Sequence, residues 1–61
     1  MTYADYIKRA HAHMDAALAD GNRVYARLAM SAAQSARQRS SSRLERAECA
    51  DLIHEAEEVL R

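Results

Sequence analysis

Sixty-one residues with nine basic and nine acidic side chains, no Pro, no Trp and no Phe make one small domain at most, with zero formal net charge. The apolar fraction of 49% is generous only on paper, because fourteen of the thirty apolar residues are alanine. A core drawn from the two Val, two Ile, five Leu, three Met and three Tyr is thin, and a domain of this size is marginal alone. The composition therefore predicts self-association or a protein partner, and it argues against an enzyme, which needs room for a sheltered site.

The predicted elements are all helical, since Ala, Arg, Glu and Leu dominate and β-branched residues are few. The first helix is expected over about 3–19. Thr2 caps it, Asp5 sits three residues on, and Tyr3, Tyr6, Ile7, Ala10, Met14, Ala17 and Leu18 form a helical stripe. Asp20-Gly21-Asn22 is the clearest break in the chain. Glycine reaches the left-handed conformation that ends a helix, and asparagine caps the next one. A connection this short folds the first two helices into an antiparallel hairpin.

The second helix is expected over about 23–39. Between Val24 and Ala36 its only long polar side chains are Arg27 and Gln34. A helix apolar around most of its circumference belongs in the middle, packed on more than one side. Around this segment, Gly21, Ala26 and Ala33 have spacing similar to the small-residue pattern of one tetratricopeptide-type hairpin. Met14 and Gln38 depart from that pattern, and the likeness assigns no family. Ser40-Ser41-Ser42 reads either as a turn or as the polar middle of one long helix. The capping-box spacing of Ser42 and Glu45 favours a new helix, over about 43–60, with Cys49, Leu52, Ile53, Ala56, Val59 and Leu60 facing inward. Leu44 lies off that stripe. The expected fold is thus an antiparallel helical hairpin plus a third helix, a small three-helix bundle.

Charge is sorted along this chain. Residues 21–46 carry Arg23, Arg27, Arg37, Arg39, Arg43 and Arg46 against Glu45 alone, a net +5, while residues 47–61 carry Glu48, Asp51, Glu55, Glu57 and Glu58 against Arg61, a net −4. Arginine donates two parallel hydrogen bonds to a carboxylate or phosphate, so the segment Arg37, Arg39, Arg43, Arg46 is the main candidate binding feature. With Leu44, and with Tyr3, Tyr6 and His13 on the first helix, it makes the expected contact set for a protein partner. That partner is an acidic patch on a larger protein or a second copy of the chain. The expected role is a small interaction module, an accessory or inhibitory protein of bacterial or phage type.

A basic turn also suits a nucleic-acid backbone, which is the alternative reading. The acidic third helix and the lack of aromatics beside the arginines weigh against it. His11, His13 and His54 are the only candidates for acid–base or metal work. His11 with Asp15, and His54 with Glu58, have the spacing of ordinary helix-surface pairs, so no metal or other cofactor is expected. Cys49 is expected in the core rather than as a nucleophile. No apolar run approaches the roughly 18–20 residues of a membrane span, and the start of the chain lacks the apolar centre of a signal peptide. A cytoplasmic location is expected.

Overall fold

The computed structural model describes all 61 residues and contains three helices, α1 (Tyr3–Asp20), α2 (Arg23–Gln38) and α3 (Arg43–Leu60). These are the predicted elements to within one residue. Each start is set by side-chain chemistry close in sequence. Thr2 Oγ1 accepts the Asp5 N–H at 3.3 Å while Asp5 accepts the Thr2 N–H at 3.0 Å, a complete capping box. The Thr2 N–H, and then the Thr2 hydroxyl, which also donates to Asp5 Oδ2 at 3.0 Å, hold the Asp5 carboxyl below its usual range. Gly21 sits at φ 63°, ψ 28° and closes α1, and Asn22 Oδ1 accepts the Val24 N–H at 2.8 Å to open α2.

The Ser40–Ser42 segment is a true break, and helices 2 and 3 are separate. Arg39 leaves helical geometry at φ −105°, ψ 4°, and the Ser40 hydroxyl donates to the Arg37 carbonyl at 2.7 Å. Ser42 Oγ then accepts the Glu45 N–H at 3.1 Å. Only half of the expected capping box forms there. The Glu45 carboxylate reaches one residue further back and accepts the Ser41 N–H at 2.7 Å.

As its apolar circumference requires, α2 is the central helix. It packs along α1 on one side and α3 on the other, whereas α1 and α3 touch little. The molecule measures 32 × 19 × 13 Å. Its exposed area of 4061 Å² is close to the ~4,000 Å² of a compact monomer of this mass, so the chain is fully collapsed. What it collapses around is unusual: eight of the eleven buried residues are alanine, joined by Met14, Cys49 and Leu52. The continuous core runs from Ala10, Met14 and Ala17 through Ala26, Ala29, Ala32 and Ala33 to Leu52 and Ala56. Ile7, Met30, Ile53, Val59 and Leu60 pack at its margin. Alanine lets backbones approach closely, so the helices are held by proximity rather than by interlocking large side chains.

Large apolar residues lie outside instead. Leu44 is 84% exposed, Val24 63%, Leu18 55% and Leu28 43%. No helix is long and apolar enough to cross a membrane.

Candidate functional site

The chain turn between α2 and α3 brings Arg37, Arg39, Arg43 and Arg46 to one end of the bundle, since Arg37 and Arg39 end α2 while Arg43 and Arg46 begin α3. Three contacts join a basic to an acidic side chain: the ion pair Arg61–Glu58 at 3.3 Å, and His11–Glu48 at 3.0 Å and His54–Glu57 at 3.6 Å, which are ion pairs when the imidazole is protonated. None uses an arginine of residues 21–46. The intramolecular pairing of the arginines with acidic α3 does not form: the two α3 carboxylates nearest the turn are engaged elsewhere, Glu45 by Ser41 and Glu48 by Tyr3 and His11.

Along α3 itself most charges oppose the helix dipole, Glu45 in the first turn being the exception. Arg43 opens the helix and Arg46 follows within the first turn or so. Glu55, Glu57 and Glu58 crowd the last two turns, and no basic residue sits in the final one. Each misplaced charge costs a few tenths of a kcal/mol on an exposed helix. Leu44, the most exposed large apolar side chain, stands between those two arginines in the sequence.

The four arginines are not equivalent. The Arg39 guanidinium lies 4.7 Å from the centre of the Tyr6 ring. Its Nε donates to the Met1 carbonyl at 3.1 Å and a terminal nitrogen donates to the Ser35 carbonyl at 3.3 Å. Arg39 is therefore committed to tying the chain start onto the end of α2, an attraction of about 0.5–1 kcal/mol for the ring contact. Arg37, Arg43 and Arg46 make no side-chain hydrogen bond or ion pair and face solvent.

The three α1 residues expected on one contact edge go to different places. Tyr3 turns toward α3, where its hydroxyl donates to Glu48 Oε1 at 2.8 Å. Glu48 Oε2 meets His11 Nε2 at 3.0 Å, so one carboxylate holds two α1 side chains eight residues apart. Burial raises the Tyr3 phenol far above its usual range, and its bond to Glu48 adds to the effect. The bond from His11, then that from Tyr3, holds the Glu48 carboxyl below its usual range. Tyr6, about 60° round α1 from Tyr3, lies under Arg39 instead. His13 stacks on Tyr25 of α2 with ring centres 6.1 Å apart. Tyr6 and His13 thus share a face with Arg39, while Tyr3 belongs to the α1–α3 contact.

This Tyr3–Glu48–His11 clasp was beyond sequence reasoning, because its members lie 37 and 45 residues apart. It gives a pH dependence of definite sign. A carboxyl depressed in the fold stabilises it above the ordinary value of 4.5, and that contribution is lost as pH falls through the folded value. Glu48→Gln is expected to flatten the acid side of the stability–pH curve, leaving the contribution of Asp5. Tyr3→Phe is expected to cost about 1 kcal/mol near neutral pH. Urea denaturation from pH 3 to pH 7, in the range where carboxylates titrate, checks both; an unaltered acid limb in Glu48→Gln would rule the clasp out.

The remaining candidates for chemistry do not assemble. No three His, Cys, Asp or Glu side chains stand close enough to hold a metal ion. His11 and His54 pair with Glu48 and Glu57, not with the i,i+4 acids Asp15 and Glu58. Cys49 is fully buried, and burial pushes its thiol up, away from the reactive thiolate form. The single concavity is an open groove of about 170 Å³ between α1 and α2, on the side away from α3, lined by Tyr6, Arg9, His13, Leu28, Ser31, Ala32 and Ser35. Comparison with protein-family models, with curated proteins and with solved structures gives no match to this chain.

Proposed function

We propose that the protein is a small non-enzymatic binding module that engages an acidic surface of a larger protein through its basic end. The observation that carries this reading is that Arg37, Arg43 and Arg46 have no carboxylate partner in a chain that holds nine acids. Two further features support it. Leu44 offers an apolar anchor beside them, at 84% exposure. The charge order of α3 also works against its own dipole, a cost that binding an acidic partner offsets. Contacts of this kind set orientation and partner choice. Of the residues expected from the sequence, Arg37, Arg43, Leu44 and Arg46 form the contact surface, with Arg39 as a brace behind them. An accessory or inhibitory role in the cytoplasm fits a module with this surface and no sheltered cavity.

Affinity capture from a native lysate tests the proposal. The wild-type chain is expected to retrieve one stoichiometric acidic protein at low salt. Arg43→Glu with Arg46→Glu is expected to weaken that capture roughly tenfold or more, with helical circular dichroism unchanged. Equal capture by both chains would sink the proposal. The same arginines suit a phosphate backbone, although residues 37–46 include no aromatic side chain to stack on a base. Binding of duplex DNA at about 50 mM salt, falling steeply as salt rises, would replace the protein reading with the nucleic-acid one.

A further inference from the structure

The α1–α2 hairpin has two faces. One carries α3, and the other is the open groove lined by Leu28, with Val24 exposed one turn before it on α2. We propose that a second copy of the chain docks on this uncovered face, antiparallel and related by a two-fold axis. The two hairpins then form a four-helix core with each α3 outside. This surface is separate from the basic end, and neither proposal depends on the other.

Side-chain size on α2 sets the direction of pairing. Val24, Leu28, Ser31 and Ser35 follow one another at spacings of four, three and four, which keeps them on one line of the helix. The first two are large and apolar, and the last two are small. An antiparallel copy centred between Ala29 and Met30 sets Leu28 on Ser31 of the second copy and Val24 on Ser35 of the second copy, twice over. Each large side chain thereby fills the space above a small one, the knob-and-hole arrangement of packed helices. A parallel copy would set large on large and leave the serines facing each other across a gap.

Charge on α1 gives the same answer independently. Arg9 lines the groove, and Asp20 lies eleven residues on, three helical turns later on the same line. Both are exposed, and neither forms an ion pair within the chain. Their midpoint falls between Met14 and Asp15. In a hairpin that turns at Gly21-Asn22, residues equally far from the turn lie level, so this midpoint is level with Leu28-Ala29. That is within about one residue, or ~1.5 Å, of the centre demanded by α2. One two-fold axis therefore brings Arg9 to Asp20 of the second copy at both ends while it seats Leu28 on Ser31.

Sedimentation equilibrium and disulfide cross-linking on the full chain are the test, with four sets of variants. Wild type is expected to be a dimer. Leu28→Glu is expected to be a monomer of unchanged helicity, because Leu28 is already partly exposed in the single chain. Arg9→Asp is expected to weaken the dimer, and the swap Arg9→Asp with Asp20→Arg to restore it. On a Cys49→Ala background, a mixture of Leu28→Cys and Ser31→Cys chains is expected to cross-link between the two species, whereas Val24→Cys alone is not. A monomeric wild type, a dimer indifferent to Leu28→Glu, a charge swap that fails to rescue, or self-cross-linking of Val24→Cys would each overturn the proposal. Loss of the dimer in Arg43→Glu with Arg46→Glu would also overturn it, by moving the second copy to the basic end. Retention of the dimer in that variant, with loss of captured protein, separates the two surfaces.

Discussion

Leu52→Ala is expected to lower the free energy of unfolding by about 2–5 kcal/mol. Leu52 is 4% exposed and is the one branched aliphatic side chain in the continuous core. Its neighbours there are alanines and Met14, which have few atoms with which to refill the space. A domain of 61 residues is expected to have about 3–9 kcal/mol in total, at 0.05–0.15 kcal/mol per residue. The truncation thus removes about a fifth of the stability at the least, and in the severe case all of it. Since each kcal/mol shifts the midpoint of a small domain by about 4–8 °C, thermal unfolding followed by circular dichroism resolves the effect easily. A loss under about 1 kcal/mol would mean that α3 is not seated on α2 through Leu52.

Ala33→Leu is the complementary experiment, and it is expected to cost about 1–3 kcal/mol although leucine is the more hydrophobic residue. Ala33 is fully buried in the middle of α2, the helix that packs on both of the others. The added carbons there must push close-packed helices apart or force neighbouring side chains from their rotamers. In an exposed position of α2 such as Gln34, the change to Leu is expected to stay within about 0.5 kcal/mol. The ratio of these two costs measures how tightly the alanine core is packed. Equal effects at the two sites would show that α2 is loosely held and that its alanines are not a packing surface.

The elements of this fold were legible because their signals are local. Thr2, Gly21, Asn22 and Ser42 each act on backbone groups within a few residues, so composition and spacing locate the caps to within one residue. Even the ambiguous serine segment is decided locally, by Ser40 on the Arg37 carbonyl and Glu45 on the Ser41 N–H. The binding surface was only partly legible. Clustering of Arg37, Arg43 and Arg46 at one end follows from two helices meeting at a short turn. The withdrawal of Arg39 onto Tyr6 and Met1 joins chain segments more than thirty residues apart, and nothing in the spacing announces it. Tyr3 and Tyr6 look equivalent in sequence, three residues apart on one stripe. They separate because α1 is flanked by α3 on one side and by the end of α2 on the other. The apolar circumference of α2 correctly marked it as central, yet periodicity does not say that two helices leave the Val24–Leu28 line bare.

The sparse contact between α1 and α3 has a consequence for how this molecule opens. α3 is attached through α2 and, toward α1, chiefly through the Glu48 carboxylate, and it carries most of its charges against its own dipole. The hairpin keeps the larger share of the alanine contacts. The cheapest excursion from the native state is therefore the release of α3 as a unit, with α1 and α2 still paired. Amide hydrogens of α3 should exchange faster than those of α2 and with one shared opening free energy. Acid should speed that exchange selectively beyond its intrinsic pH dependence, because protonating Glu48 loosens the tie that closes the door.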